Sequence, residues 1–268
     1  MHVPPGKKQP VQRHCEYTRL RQNPLMPLRP VNPPCPLCHE SITLTLASAH
    51  GRRYFDCPRC RLAFMDPADR PSPEAERARY DTHENDPSDP GYRSFLSRLL
   101  DPLLPLLPPG SRGLDYGAGP GPALQAMLEE SGHPTRIYDP FYAPDPIVLE
   151  DRYDFVTCTE TAEHFHDPER EFRRLDGLLR PGGWLAIMTE VLDDQADFGA
   201  WYYARDPTHV VFYRRTTLEW VADRHGWMVH FPHRNVGLFR KPAEGERQCQ
   251  GPPSSSEAPE TIRPDAGG

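Results

Sequence analysis

The chain lacks any long apolar segment. No stretch of about 18 consecutive residues is apolar throughout, and the N-terminus has no apolar core typical of a secretion signal. The first absence argues against a membrane-spanning helix, and the second argues against an exported, disulfide-stapled domain. The sequence therefore predicts a cytoplasmic protein without a membrane partner.

Apolar residues are also scarce overall. The 268 residues are 37% hydrophobic, the mean hydropathy is -0.70, and 34 residues are proline. The hydrophobic content and the mean hydropathy are low for a compact chain and the proline count is high, so we expect the ends to be unstructured. Residues 1–34 are interpreted as a basic, proline-rich disordered leader and residues 242–268 as a disordered tail. The remainder is long enough for one main α/β domain and a smaller module.

Charge is distributed unevenly. Residues 1–65 carry ten Lys or Arg against three Asp or Glu, whereas the whole chain has a net charge of -7. A basic N-terminal part on an acidic body would suit contact with RNA or another polyanion. A solvated arm without any partner is the simpler alternative.

Four cysteines have metal-ligand spacing. They form the pattern Cys35-x2-Cys38-x18-Cys57-x2-Cys60, in which each C-x-x-C places two thiolates on one tight turn. The pattern predicts a zinc ribbon over residues 35–65, stabilised by the metal because so short a segment has little core. Four thiolates leave no open coordination position, so the zinc would be structural. Disulfides are the alternative, disfavoured by the missing secretion signal.

A glycine-rich turn follows a short apolar strand. The residues Leu114-Asp115-Tyr116-Gly117-Ala118-Gly119-Pro120-Gly121 lead into a predicted helix. Glycines let a backbone approach a ligand, and a helix N-terminus offers free N–H groups. A dinucleotide fingerprint would need glycine at position 122, where Pro122 stands. Asp139, 18 residues past Gly121, ends the next strand, about where a carboxylate binds ribose hydroxyls. A turn residue before Pro140 is the alternative for Asp139.

Strands and helices alternate along residues 111–241. A helical linker over residues 71–110 precedes them, and its second helix, at about 92–101, should place Phe95, Leu96, Leu99 and Leu100 on one apolar face. Only 14 residues with three prolines separate Asp139 from Asp154, so we expect the third strand to be shortened or lost. The remaining expected elements are strand Tyr153–Cys158, a helix from the Asp167 cap to Leu179, a turn at Arg180–Gly183, strand Trp184–Thr189, a helix opened by the capping box Thr216-x-x-Glu219, and a closing hairpin at Trp227–Phe231 and Asn235–Arg240. The fold class is thus α/β, a doubly wound and mostly parallel Rossmann-like sheet.

From about residue 74 to residue 241 the chain resembles the class I S-adenosylmethionine (SAM) methyltransferases. The resemblance rests on the D-x-G-x-G-x-G turn, on Asp139, on Glu160-Thr161-Ala162-Glu163-His164 and on Leu178–Gly183. It implies SAM across the carboxyl ends of the strands, with the residues Asp115, Tyr116, Gly117, Gly119, Gly121, Asp139 and Tyr80 as its contacts. The loop from Tyr80 through His83, Asn85 and Asp86 to Tyr92 is a candidate lid, with a polar linker as the alternative.

The resemblance also implies which residues act on the methyl acceptor. Catalysis is assigned to Glu160, Glu163, His164 and His209, with His166 nearby. Similar E-x-x-E-H sets bind a divalent ion, Mg²⁺ or Mn²⁺, in small-RNA and ubiquinone-pathway O-methyltransferases, and such an ion would lower a hydroxyl pKa. In the alternative, the Glu-His pair only caps the next helix. Trp201, Tyr202 and Tyr203 are candidates for stacking on a flat acceptor or for core packing.

Three functions remain open at this point. The first is transfer of a methyl group to an O, N or C nucleophile of a small-molecule acceptor. The second is RNA methylation guided by the basic N-terminal region, and the third is a non-catalytic SAM-binding scaffold. The glycine turn and Asp139 favour an enzyme.

Overall fold

The computed structural model describes residues 32–82 and 86–246. In chain order the strands and helices are β1 (Leu44–Ala49), β2 (Arg52–Asp56), β3 (Ala63–Met65), α1 (Pro73–Tyr80), α2 (Pro90–Leu103), β4 (Gly113–Tyr116), α3 (Ala123–Glu130), β5 (Thr135–Tyr138), β6 (Tyr153–Thr159), α4 (Pro168–Leu178), β7 (Leu179–Met188), β8 (Val211–Phe212), α5 (Arg215–His225), β9 (Met228–His233) and β10 (Val236–Arg240). The predicted leader up to residue 31, the tail from residue 247 and the incidental Cys15 and Cys249 lie outside these ranges.

A six-stranded sheet forms the centre of the molecule. Its strand order is β5-β4-β6-β7-β10-β9, in which the first four strands are parallel and β10 is antiparallel to both neighbours. Alternate residues of β7 point to opposite faces: Leu185 and Ile187 pack with α4 and α5, whereas Ala186 and Met188 pack with α2 and α3. The expected doubly wound α/β class is confirmed.

The segment between β5 and β6 is unusually short. Within residues 139–152, all of which the structure describes, there is an isolated bridge between Asp139 and Ala143 and a 3-10 turn at Pro146–Leu149, but no strand. The expected loss of the third strand is confirmed, and β5 is an edge of the sheet. Three prolines in so few residues leave no room for a crossover unit.

The cysteine region extends into a second sheet. Strands β1, β2 and β3 are antiparallel, and β3 also pairs with β8, placing Ala63 opposite Phe212. The buried Arg214 guanidinium binds the Asp56 carboxylate at 3.0 and 3.1 Å and donates to the Arg61 carbonyl. The module boundary 35–65 stays a prediction, but strand pairing and a buried ion pair join this segment to residues 211–214.

Two local expectations were wrong. Helix α5 begins at Arg215, before Thr216, and it is the Thr217 hydroxyl that accepts the Arg214 N–H at 3.2 Å. The Thr216 capping box therefore does not form, because the tertiary contacts of Arg214 set the helix start. Residues Arg180–Gly183, expected to be a turn, lie inside strand β7.

The helical linker agrees better with expectation. Ser72 caps α1 by accepting from the Ala75 N–H, and α2 buries the expected apolar face. Among residues 32–82 and 86–246, no helix combines the length and the apolar character needed to cross a bilayer.

Gly113 is a position in the central sheet that has no room for a side chain. A Cβ at Gly113 would lie 2.1 Å from the fully buried Phe155 ring. We expect Gly113→Ala to lower the free energy of unfolding by about 1–3 kcal/mol through overpacking. Gly177→Ala is the control, because a Cβ there meets nothing within 4 Å in helix α4, and it should raise stability by roughly 0.5–1 kcal/mol. Urea denaturation measures both, and equal behaviour of the two variants would contradict this account of the core.

Candidate active site and cysteine cluster

A cavity of about 560 Å³ opens at the carboxyl ends of β4, β5 and β6. Its walls come from the glycine turn, the loop after β5, the turn after β6, α1 and α4. The sequence-predicted residues that line it are Tyr80, Tyr116, Gly117, Gly119, Asp139, Glu160, Glu163, His164 and His209. Asp115 and Gly121 do not line it. The carboxyl ends of parallel strands are where ligands bind in open α/β sheets.

Gly117 is required by the shape of the glycine turn. Its φ is 85°, and a Cβ there would lie 2.3 Å from the side chain of Thr161. The Gly117 N–H donates to the Tyr138 carbonyl at 2.7 Å, which folds the turn over the end of β5. Gly119 also has a positive φ, 65°. The turn thus presents bare backbone to the cavity.

Asp139 ties the two halves of the turn region together. Its carboxylate accepts the Gly119 N–H at 3.0 Å and the N–H groups of Phe141 and Tyr142 at 2.8 and 3.0 Å. The residue is buried, with 7% of its surface exposed, and lines the cavity. Asp139 is therefore both a turn residue, as in the simpler interpretation, and a fixed carboxylate in the cavity wall.

Asp115 lies beneath the cavity. It is 3% exposed, and the Thr157 hydroxyl donates to its carboxylate at 2.8 Å. Burial raises the pKa of Asp115, the Thr157 hydrogen bond lowers it and the nearby Asp139 raises it, and the combined effect is a pKa of about 7. The sequence did not reveal this burial, because an acidic residue at the end of a strand is as easily exposed.

Three of the four predicted catalytic residues converge at one wall. Ligand atoms of Glu163, His164 and His209 all lie within 4.8 Å of one another. His164 Nδ1 bonds the Thr208 carbonyl and His209 Nδ1 bonds the Tyr203 carbonyl, each at 2.8 Å. Because a carbonyl only accepts, each Nδ1 carries a proton, and in a neutral imidazole the lone pair is then on Nε2. Burial lowers the pKa of His209, so its imidazole is neutral.

The Glu163 carboxylate is fully enclosed. It is 0% exposed and accepts hydrogen bonds from the Tyr203 hydroxyl and, at 2.8 Å, from the Thr189 hydroxyl. Tyr203 is 4% exposed and does not line the cavity, and neither do Trp201 and Tyr202. The stacking role considered for these aromatics is therefore not supported. The Tyr203 hydroxyl instead holds the Glu163 carboxylate, and no local sequence pattern indicates this contact.

Glu160 stands apart from the cluster of three. Its φ is 47°, a conformation that non-glycine residues adopt rarely and that occurs at functional sites. Its Oε1 is buried without a hydrogen-bond partner among the described residues. Burial, reinforced by Glu163 and Glu190, raises the pKa of Glu160 to about 9. The carboxyl is therefore protonated at neutral pH unless a cation approaches it.

Aromatic residues cover the open side of the cavity. Tyr80 contacts the Phe141 ring and the His164 ring, with centroid distances of 5.6 and 5.1 Å, and Tyr92 also lines the cavity. The Tyr142 hydroxyl donates to Asp81 at 2.6 Å, which joins the end of α1 to the loop after β5. Of the other candidate lid residues, Asp86 is exposed and does not line the cavity, and His83 and Asn85 lie outside the described residues.

The four predicted zinc ligands also converge. Cys35 and Cys60 have Sγ atoms 3.5 Å apart, those of Cys38 and Cys57 are 3.4 Å apart, and all four sulfurs lie within 4.8 Å of one another. The two turns have the same form: the residue after the second cysteine of each, His39 or Arg61, has a positive φ and donates its N–H to the first cysteine's carbonyl. Cys158 is buried elsewhere in the core.

The sheet order, the glycine turn and the acid after the second strand define the class I methyltransferase fold. The chain belongs to the methyltransferase domain family, whose profile matches residues 89–230, just over half of the chain.

Two curated relatives carry the same description. The chain is 34% identical to the ubiquinone biosynthesis O-methyltransferase of Leptothrix cholodnii, over 29% of this chain and 33% of that protein. It is 32% identical to the ubiquinone biosynthesis O-methyltransferase of Aeromonas salmonicida, over 30% of this chain and 43% of that protein. The match thus spans less than half the length of either relative.

Solved structures are similar at lower identity. The 1,6-didemethyltoxoflavin-N1-methyltransferase of Burkholderia thailandensis, solved with 1,6-didemethyltoxoflavin and S-adenosylhomocysteine, gives a TM-score of 0.45 at 16% identity, covering 74% of this chain and 99% of that one. A SAM-dependent methyltransferase from Archaeoglobus fulgidus gives 0.44 at 16% identity, covering 56% and 94%.

The raised pKa of Asp115 makes a prediction about stability. Between about pH 4 and pH 7 the folded protein keeps a proton on Asp115 that the unfolded chain has lost, so Asp115 destabilises the fold increasingly as pH rises. Relative to Asp115→Asn, we expect the wild type to lose up to about 1.4 kcal/mol per pH unit across this window.

Denaturation of the two proteins at several pH values measures the effect. Asp154→Asn is the control: hydrogen bonds from Arg112 and Arg180 outweigh burial and lower the pKa of Asp154. The stability that Asp154 contributes is therefore lost only as the pH falls below the usual pKa of an aspartate. The difference in unfolding free energy between Asp154→Asn and wild type should stay constant between about pH 5 and 7. If the difference in unfolding free energy between Asp115→Asn and wild type were also independent of pH, the raised pKa of Asp115 would be contradicted.

Proposed function

We propose that this protein transfers the methyl group of SAM to a hydroxyl oxygen of a small-molecule acceptor held against Glu163, His164 and His209. The convergence of these three side chains at the cavity wall carries the proposal. The description of two partial relatives as O-methyltransferases supports an oxygen nucleophile. Neither relative's substrate is transferred to this chain.

The residues at the glycine turn fit SAM. Gly117 and Gly119 both have positive φ and line the cavity without a side chain, and the Asp139 carboxylate is held in place by three N–H groups. We assign the methionine part of SAM to the glycine turn and its ribose hydroxyls to Asp139, which has lone pairs to accept them. SAM supplies a methyl group already activated by the positive sulfur. Asp115 does not line the cavity, so we assign it no direct contact with SAM but a place in the structure beneath the turn.

The chain's own contribution is positioning and exclusion of water. An in-line displacement requires the acceptor oxygen near contact with the methyl group, in a desolvated space. We assign the covering role to Tyr80, Tyr92, Phe141 and Tyr142, whose rings close the outer side of the cavity. The acceptor would enter between this cover and the Glu163 wall.

The acceptor wall fits a divalent cation. Two imidazoles present Nε2 with Nδ1 fixed on a carbonyl, the arrangement of metal-binding histidines. Glu163 supplies the carboxylate, and the unpartnered Oε1 of Glu160 is a candidate fourth ligand atom, since the Tyr203 hydroxyl contacts both carboxylates. Mg²⁺ or Mn²⁺ held there would lower the pKa of the acceptor hydroxyl. His164 and His209 would fix the ion while Tyr203 holds Glu163.

We also propose that Cys35, Cys38, Cys57 and Cys60 bind one structural zinc ion. Their sulfurs surround a common point, and tetrahedral thiolate coordination stabilises segments of this size. The ion would keep the two cysteine turns together and so hold β3 in position against β8.

The ribose assignment makes a prediction about SAM affinity. Replacing Asp139 by Asn removes the charge that strengthens hydrogen bonds to both ribose hydroxyls, so we expect SAM to bind roughly 10- to 100-fold more weakly. Isothermal titration calorimetry measures this. Asp145→Asn is a matched control on the same loop, because Asp145 also caps a backbone N–H but does not line the cavity. Equal SAM affinities for wild type and Asp139→Asn would sink the assignment.

The metal assignment makes a prediction about Mn²⁺. Glu163→Gln keeps the shape of the side chain but removes a charged ligand, so Mn²⁺ affinity should fall by at least about tenfold. The free Mn²⁺ signal in electron paramagnetic resonance reports it. Glu171→Gln changes another carboxylate of the same cavity, bonded to Arg174, and should leave Mn²⁺ affinity within about twofold. If wild type, Glu163→Gln and Glu171→Gln all bound Mn²⁺ equally weakly, the proposed metal site would be contradicted.

The zinc assignment predicts a stoichiometry. Purified wild type should contain one zinc per chain by atomic emission, and Cys60→Ser should lose it together with several kcal/mol of stability, given about 10 kcal/mol or more for structural zinc sites. Cys158→Ser alters an unrelated buried thiol and should keep the zinc. Zinc-free wild type that unfolds no earlier than zinc-loaded protein would refute the structural role.

A further inference from the structure

A second cavity, of about 410 Å³, lies where the cysteine turns meet α4 and α5. It uses Glu169, Phe172 and Arg173 of α4, whereas the methyl-transfer cavity uses Arg170, Glu171 and Arg174. The two cavities therefore lie on different sides of the same helix. Nothing in the proposed methyl transfer employs the second one.

Its walls are strongly cationic. Each of the three converging segments contributes one arginine: Arg59 from the second cysteine turn, Arg173 from α4 and Arg224 from α5. Glu169 is the only carboxylate among the lining residues, and it is bonded to Arg173. Within residues 32–82 and 86–246, neither Arg59 nor Arg224 forms an ion pair.

Guanidinium groups without a carboxylate partner suit a phosphate. Their planar N–H donors match phosphate oxygens. Arg173 is paired with Glu169, so Arg59 and Arg224 leave positive charge uncompensated in the space that all three arginines line. His39 and His225 add ring nitrogens at the same wall. The cavity volume lies in the range typical of small-molecule sites.

The remaining walls are apolar and aromatic. The buried Leu37, Phe172 and Val221 line the cavity, together with the half-buried Trp220. An indole facing a space with cationic walls can stack on a nucleobase while the arginines bind its phosphate. A bare inorganic anion would leave this apolar area unused.

We propose that the second cavity binds a nucleotide phosphate, with the base on Trp220 and the phosphate on Arg59, Arg173 and Arg224. The same chemistry occurs in a free mononucleotide and in a single RNA strand. The proposal is independent of the methyl-transfer assignment, since the two cavities share no lining residue.

Binding of uridine monophosphate and of a short oligouridylate to the full-length protein tests this. Uridine avoids competition with the adenosine part of SAM, and saturating S-adenosylhomocysteine keeps the first cavity filled. Arg173→Gln combined with Arg224→Gln should weaken both probes at least tenfold. Arg215→Gln, an exposed arginine of α5 outside the cavity, is the matched control and should change affinity less than twofold.

Two further measurements, the salt dependence of binding and the Trp220→Leu variant, distinguish a free mononucleotide from an RNA strand and test the site with a second substitution. If the ligand is a strand, log K for oligouridylate should fall steeply with log salt, and the double variant should reduce that slope by about 1.4. If the ligand is a mononucleotide, both probes should bind equally with a shallow slope. Trp220→Leu should weaken uridine monophosphate more than inorganic phosphate. The proposal is overturned if the folded wild type binds none of these three probes, or if the double variant binds them as tightly as wild type.

Discussion

The pairing of β3 with β8 is the constraint on which the acceptor side depends. Only two residues of β8 take part, yet they connect the strand that follows the second cysteine turn to the segment that follows His209. Arg214 strengthens the connection: its side chain is 7% exposed and binds Asp56 and Asp194. A buried guanidinium that lost Asp56 would be strongly destabilising, so this junction is held as one unit.

The hydrogen bonds of Val210 transmit that constraint to the site. Its carbonyl accepts the Met65 N–H at 2.8 Å, and its N–H donates to the Glu163 carbonyl at 2.9 Å. The backbone of Val210 therefore bridges the cysteine region and Glu163, next to His209. A displacement of β3 would move Glu163 and His209 relative to each other. The cysteine region thus contributes to the geometry of the cavity wall that Glu163 and His209 form.

Local patterns predicted the parts of the site that depend on neighbours in sequence. The glycine turn needs positive φ at Gly117, and each cysteine turn needs two cysteines close together in sequence. Residue spacing alone therefore predicted the positions of the glycine turn and of the cysteine turns. Periodicity likewise predicted α2 and β6. The missing third strand followed from the short, proline-rich segment after Asp139. Such features are set by backbone conformation within a few residues.

What the sequence could not predict depends on contacts between distant segments. The bond from Tyr203 to Glu163, the partner strand β8 and the burial of Asp115 each join residues far apart in the chain. The start of α5 was predicted wrongly for the same reason: Arg214 is fixed by Asp56, and the helix begins after it. The Thr216 pattern was a valid local signal overridden by a tertiary contact.

Hydrogen–deuterium exchange of residues 205–214, compared between zinc-loaded wild type and Cys60→Ser, tests this dependence most directly. We predict that the amide of Val210, bonded to Glu163, loses protection together with residues 35–65 when the cysteine cluster is broken. If residues 35–65 exchanged freely while Val210 stayed protected, the acceptor wall would stand without the cysteine region, and the central claim would be wrong.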